Sequence, residues 1–459
     1  MTTPNNIAVI DIGKTNAKLA LVDLKNQTEL AVVTRPNTVL DFAPYPHFDV
    51  DGHWEFLLEN LRIFNSEFGV DGVSVTTHGA CVALLDSSGN LATPVLDYEH
   101  AAIQDAKEEY GNIRPKFEET GSPALSNGLN VGAQLFWLFQ QDQSLLGRTH
   151  TILTYPQYWV CRLTGITSSD VSSLGCHTDI WNPFKKDYSS LVDQLGIRSK
   201  LAEPKNSNEI VGQVLPEICA QTGLAESTPV VCGVHDSNAS LFPYLKSQLD
   251  SISVVSTGTW VIAMGIRDGV AKAVEKSETF VNVDAYGNPV PSARFMGGRE
   301  YEIMKSTLSG EYTNSDISDV LESGTMLLPA VESSAGPFKG RQYKWHPKVP
   351  QKFTPQRTVA LSFYLALVTS VCLDAIEHNG KIFVEGPFAK NDLYLSMLSF
   401  ATNSKVFVSS GQTGTSLGAA LLFSKKIPYP QNTEHVPDAM LSSSAIHTYA
   451  EKWRSILAS

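Results

Sequence analysis

The stretch from Ile7 to Asp23, IAVIDIGKTNAKLALVD, sets two apolar runs on either side of a short polar turn at Gly13. The stretch from Ser251 to Asp268, SISVVSTGTWVIAMGIRD, has the same form around Gly258. Apolar runs broken by a glycine-bearing polar turn read as hairpins. Aligning Gly258 with Gly13 puts Ser256 over Asp11 and Thr259 over Lys14. Each hairpin opens a region of further strand-like and helix-like segments, so the pair reads as a remote internal duplication. The competing reading is chance, because strand–Gly–strand units are common.

Between and after the hairpins the chain alternates. DGHWEFLLENLRIFNSEF (Asp51 to Phe68) has apolar residues at helical spacing. VDGVSVTTHGACVALLDSSGNL reads as a strand, a turn at His78-Gly79 and a second strand. ILTYPQYWVCRLTG places a short helix after Pro156, closed by Gly165, and TPVVCGVHDSNASLFPYL reads as a strand, a polar turn at His235 to Asn238 and a helix. KIFVEGPFAKNDLYLSMLSFATN gives a strand, a Gly386-Pro387 turn and a helix, and KVFVSSGQTGTSLGAALLFSKK gives a strand, a loop at Gly411 to Thr415 and a helix. Strand–helix alternation on this scale predicts α/β layers. Strand-to-helix loops of this kind present backbone N–H groups, which suit anions or a nucleotide.

Bulk properties narrow the classes. A chain of 459 residues suggests about three units at ~150 residues each, and two large ones fit equally well. A net charge of -12 gives no global reason to bind nucleic acid or an anionic membrane, so any anionic ligand needs a local cluster of donors. The six cysteines are dispersed without a CxxC pair, which predicts buried thiols rather than a zinc ribbon or a disulfide framework. MTTPNNIAVIDIG has no basic n-region and does not read as a signal peptide, so a cytoplasmic location is expected. The apolar run Val359 to Leu373 falls short of the ~20 residues of a membrane span and reads as a helix buried between layers.

Phosphoryl transfer to an alcohol needs donors around the phosphates, a carboxylate near the metal and a base for the hydroxyl proton. The chain has no Walker sequence and no HRD or DFG set, so it would need a different phosphate cradle. IDIGKTNAK, GVHDSNAS, STGTW and GTSLGAAL stand in the order and approximate spacing of the FGGY carbohydrate kinases. The chain resembles that family from about Ile7 to Lys425, with rhamnulokinases, fuculokinases and xylulokinases as the nearest types. The resemblance implies an α/β fold of two ribonuclease-H-like, actin-like ATPase domains with ATP and sugar in an interdomain cleft. The expected blocks are residues 1–247 for the sugar site, base and first phosphate hairpin, 248–425 for ATP, and 426–459 as a partly helical tail. A hinge is expected at Lys246 to Ser253.

The same resemblance assigns roles. Asp236 matches the catalytic base; standing alone, it would read as a helix N-cap. Asp11 matches the acid that holds Mg²⁺, directly or through water. Gly13, Lys14, Thr15, Asn16 and Lys18 match the first phosphate hairpin, although both lysines also suit a solvated edge. Gly258 and Thr259 match the second phosphate hairpin, and Gly386 and Gly414 the nucleotide end. Glu385-Gly386-Pro387 departs from the family's usual glycine run. His78, Gly79, His235 and Ser237 are the sugar-site candidates, and Arg294 falls where rhamnulokinases carry a sugar-contacting Asn. Trp54 and Trp137 suit core packing better than sugar stacking.

The implied activity is an ATP- and Mg²⁺-dependent kinase acting on a primary hydroxyl of a ketose, such as L-rhamnulose, L-fuculose or a xylulose- or ribulose-type ketopentose. A polyol kinase is the enzyme alternative, and a sugar-responsive regulator the non-catalytic one. Keeping both Asp11 and Asp236 argues against the regulator. A chaperone-like ATPase would need a peptide-binding domain, for which 426–459 is too short. The expected partners are a sugar and ATP, with no nucleic acid or membrane, and a homodimer is allowed.

Overall fold

The computed structural model describes residues 4–245, 251–267, 279–409, 414–425, 432–437 and 443–458. The chain divides into two compact units. The first comprises Met1–Ser247, Val281–Val290 and Thr413–Tyr429; the second comprises Gln248–Phe280, Pro291–Gln412 and Pro430–Ser459.

In the first unit, Asn6–Ile12 and Asn16–Asp23 form the expected hairpin, with Asp11 opposite Lys18 and Ile12 opposite Ala17. Thr28–Pro36 pairs antiparallel on the outer side of this hairpin. On its inner side Gly72–Thr77 runs parallel to Asn6–Ile12, Pro229–Val231 runs parallel to Gly72–Thr77, and Ile210–Gln213 closes the edge antiparallel. The second unit repeats this scheme. Ser251–Thr257 and Val261–Arg267 form its hairpin, Pro289–Phe295 adds antiparallel outside it, Lys381–Glu385 and Val406–Ser409 follow in parallel, and Asn432–Glu434 ends the edge antiparallel. An antiparallel meander followed by two parallel strands is the ribonuclease-H-like order. Its recurrence favours duplication over chance.

Asn6–Ile12 is apolar almost throughout because both faces of this central strand are covered. Ala8, Ile10 and Ile12 pack in the core beneath the helix Val50–Phe68. Ile7 and Val9 face the other way, toward Ala239, Ala419 and Ala420. Side chains alternate with period two, so Asp11 falls on the face of Ile7 and Val9, where the helices Asp236–Leu241 and Gly414–Ala420 lie. The cores explain where the chain departs from three consecutive blocks. Val283 and Ala285 are buried in first-unit cores, and so are Ala419 and Ala420, so 281–290 and the helix at 414–420 belong there. The C-terminal helix Ser443–Ala458 is no separate tail: it buries Ile446, Tyr449 and Trp453 in the second core, where Trp453 Nε1 donates to the Leu327 carbonyl at 2.8 Å.

Several local expectations are met. The helix after Asp49 covers Val50–Phe68, and Tyr155–Thr164 ends at Gly165 in the left-handed conformation. Trp137 is buried in a core, and Trp54 stacks on Trp159 with the Arg162 guanidinium over its ring. All six cysteines are free thiols, five of them buried. The long apolar helix spans Pro355–Ala375, long and apolar enough by itself to cross a membrane, but its residues pack in the second core. The second strand after the His78-Gly79 turn, Val82–Leu85, runs antiparallel to Thr151–Thr154. Part of the expected hinge, 246–250, and part of the glycine loop, 411–413, lie outside the described residues.

Candidate active site

Three strands of the first sheet, Asn6–Ile12, Gly72–Thr77 and Val234–His235, run parallel and end together. Their carboxyl ends carry Asp11, His78 and Asp236. In open α/β sheets this is where ligands bind. Asp11 pairs with Lys18 Nζ at 3.2 Å. Burial pushes the Asp11 carboxyl above its ordinary range, and the Lys18 charge opposes that rise.

Asp236 is the first residue of its helix, and His235 takes the N-cap position, its Nδ1 accepting from Ser237 N at 3.3 Å. The same N–H also donates to Asp236 Oδ1 at 2.6 Å and the Ser237 hydroxyl donates to it at 3.3 Å, so Asp236 shares in the cap. Its side chain keeps 35% of its surface open. Burial raises the Asp236 carboxyl, while the N–H and hydroxyl of Ser237 that donate to it oppose that rise. A carboxylate that is reachable and raised suits a general base.

The histidines frame this carboxylate. His78 Nδ1 lies 2.8 Å from the Gly79 carbonyl, so Nδ1 carries the hydrogen and Nε2 a lone pair. That Nε2 is buried without a protein partner. Burial holds both His78 and His235 down to about 4, so they are neutral at physiological pH. Gly79 is required by contact: a Cβ there would lie 2.5 Å from His235 Nε2. His78 feels the charges of Asp236 and Lys14, and Asp11 feels that of Asp236. The first-unit candidates therefore share one locale.

Lys14 is placed differently from the phosphate-cradle expectation. Its ammonium is in contact with Asp97, lies 3.3 Å from Glu99 and sits over the Phe48 and Tyr98 rings. Lys18, beside Asp11, keeps the expected neighbourhood. Thr15 and Asn16 are exposed at the hairpin tip, which is tied down from behind: Asn37 N donates to the Thr15 carbonyl at 2.9 Å and Asn37 Nδ2 to the Gly13 carbonyl at 2.8 Å. His53 holds Asn37 at 2.8 Å.

In the second unit the Gly258-Thr259 turn borders a cavity of about 530 Å³, lined also by Tyr301, Phe388, Lys390 and Asn391. Gly298 permits the closure of this wall, because a Cβ on it would lie 2.0 Å from the Gly258 carbonyl. Gly386 has φ 84°, and a Cβ there would meet the Thr257 carbonyl at 1.9 Å. Thr257 Oγ1 joins the two turns: it donates to the Glu385 carbonyl and accepts from Phe388 N at 3.1 Å. The cavity's size and its mix of aromatic, polar and cationic walls suit a nucleotide. Arg294 lies over the Trp260 and Phe280 rings. Gly414 opens the helix Gly414–Ala420, which belongs to the first unit.

Sequence reasoning missed Asn37, Asp97, Tyr98, Thr257, Gly298, Tyr301 and Phe388. Only Thr257 and Gly298 had a local signal, as neighbours of STGTW and in the glycine pair of FMGGRE. It also missed the support behind His235, whose N–H donates to Ser172 Oγ at 3.1 Å, the same hydroxyl donating to buried Asp170 at 2.5 Å.

Comparison with known proteins bears on the family. Residues 6–243 match the N-terminal domain of the FGGY family of carbohydrate kinases, and residues 250–432 match an FGGY carbohydrate kinase C-terminal domain. The chain is 27% identical over 270 residues to L-fuculokinase of Escherichia coli, a match that spans only 56% of each protein. It is 23% identical over 444 residues to a probable L-xylulose kinase of Pasteurella multocida, covering 90% of this chain and 89% of that one. A carbohydrate kinase crystal structure from Novosphingobium aromaticivorans superposes with a TM-score of 0.90 at 33% identity, covering 100% of this chain and 99% of the other. With both domain types matched in order along most of its length, the chain belongs to the FGGY family of carbohydrate kinases.

Proposed function

We propose that this protein transfers the γ-phosphoryl group of ATP to a primary hydroxyl of a ketose. The observation that carries this reading is Asp236: a reachable carboxylate at strand ends that also carry Asp11 and His78. Asp236 takes the hydroxyl proton as the sugar oxygen bonds to the γ-phosphorus, and the bond to the bridging oxygen breaks to release ADP. His78 Nε2 offers a lone pair to another sugar hydroxyl, and Lys18 offsets charge beside Asp11. The nucleotide occupies the second-unit cavity around Gly258, Thr259, Tyr301 and Phe388.

Mg²⁺ fits the residues at Asp11. Among the described residues no group of three or more His, Cys, Asp or Glu side chains is gathered as a metal cage. A single carboxylate with water and phosphate oxygens is how Mg²⁺ is commonly held in phosphoryl-transfer sites. When bound, it neutralises charge on the β- and γ-phosphate oxygens.

The test is an ADP-release screen with MgATP over ketoses, aldoses and polyols. Turnover on L-fuculose or a xylulose- or ribulose-type ketose supports the reading. Turnover confined to polyols replaces it with a polyol kinase, and binding without ADP release from any acceptor leaves only the regulator.

A further inference from the structure

The sugar end of the first unit contains a cation that phosphate binding does not explain. Lys14 stands one residue from Gly13, yet its ammonium is held by Asp97 and Glu99, which come 83 and 85 positions later in the chain. The two rings beneath it, Phe48 at 4.9 Å and Tyr98 at 4.7 Å, are two of the three rings packed against His78, at 5.2 Å and 5.5 Å, the third being Tyr155 at 5.4 Å. Asp97 is itself fixed, its N–H donating to the Pro46 carbonyl at 3.0 Å and its Oδ1 accepting from Glu99 N at 3.2 Å. A cation over two aromatic faces and between two carboxylates is a clamp on the segment that carries Tyr98.

Charge adds a direction. The locale holds Lys14 and Lys18 against Asp11, Asp97, Glu99 and Asp236, and Lys18 is already paired with Asp11. The triad of Lys14, Asp97 and Glu99 keeps one carboxylate in excess. A further carboxylate brought beside it by a substrate meets like charge.

Resting on the kinase reading above, we propose that Lys14 is an acceptor-side positioning residue. Pinned by Asp97 and Glu99, it clamps Phe48 and Tyr98 beside His78, while the excess carboxylate charge of the triad selects an uncharged sugar over a sugar acid.

The experiment is steady-state kinetics of Lys14→Met, Lys14→Arg and Glu99→Gln with a neutral ketose, with D-gluconate and with MgATP, alongside melting temperatures. Lys14→Met is expected to raise the ketose KM roughly ten- to hundred-fold, with the MgATP KM within about two-fold of wild type. Lys14→Arg restores part of the loss. Glu99→Gln changes a mostly exposed side chain, so the fold is retained, and it raises kcat/KM for gluconate relative to the ketose. A rise in the MgATP KM with an unchanged ketose KM would put Lys14 back in the phosphate cradle and overturn the proposal. Equal losses on both substrates with a lowered melting temperature would also overturn it. If wild type phosphorylates no sugar, the kinase reading fails instead, and calorimetric sugar and ATP titrations of wild type and Lys14→Met then decide the clamp by the same split.

Discussion

The two hairpins share a frame and differ in chemistry. Each turns at a glycine whose N–H closes the loop, Gly13 onto the Asn16 carbonyl and Gly258 onto the Trp260 carbonyl, both at 2.9 Å. Each first strand has an antiparallel neighbour on one side and a parallel one on the other. At the last positions the chemistry separates. Asp11 faces Lys18 and neighbours Thr76, whereas Ser256 faces Ile262 and neighbours Glu385. The first hairpin thus carries a charge pair beside the proposed base. The second carries an uncharged turn, closed around a cavity by Thr257 and Gly298. A duplicated scaffold fixes where residues stand; the few residues at its strand ends decide whether that place does chemistry or seats a ligand.

The largest expected effect is on the chemical side. Asp236→Asn should lower kcat by about 10²–10⁴, as loss of a general base does, while calorimetry finds sugar binding little changed. Wild-type turnover by a folded Asp236→Asn protein would erase the contrast between the halves. A smaller loss, roughly ten- to hundred-fold in kcat at fixed Mg²⁺, is expected for Asp11→Ala, with rescue at higher Mg²⁺ and little change in sugar KM. An unaltered Mg²⁺ dependence would detach Asp11 from the metal.

An effect on pH dependence rather than on turnover concerns stability of the first unit. His53, His78 and His235 are each held down to about 4 by burial, from 6.5. The folded state keeps them neutral, while the unfolded chain takes up protons below about 6.5. Their contribution, up to roughly 3 kcal/mol each, is complete above pH 6.5 and is lost as pH falls towards 4. A His53→Gln variant should therefore start with a lower Tm but lose less of it between pH 6.5 and 4 than wild type. Parallel Tm curves for the two proteins would show that His53 does not titrate on unfolding.

The hairpins, the His235-Asp236 turn and the buried helix Pro355–Ala375 were legible because each is a local pattern of apolar spacing and turn residues. The family motifs then placed Asp11, Asp236, Gly258 and Gly386. What stayed hidden depends on residues far apart in sequence. Nothing near Lys14 announces its contact with Asp97. Asn37 and the Thr257 hydroxyl matter through single hydrogen bonds that leave no periodic trace. The segments 281–290 and 414–420 return to the first unit because its cores need Val283 and Ala419. Contiguity in sequence could not reveal that.

Two glycines, one in each unit, give the most direct test of the division of labour. A Cβ on Gly79 would press His235 at 2.5 Å, and one on Gly298 would press the Gly258 carbonyl at 2.0 Å. The measurement is the pair of KM values, for sugar and for MgATP, in Gly79→Ala and Gly298→Ala. The account predicts a crossed result: Gly79→Ala raises the sugar KM and lowers kcat with the MgATP KM held, and Gly298→Ala raises the MgATP KM with the sugar KM held. Equal changes in both constants in both variants, or the reverse crossing, would contradict it.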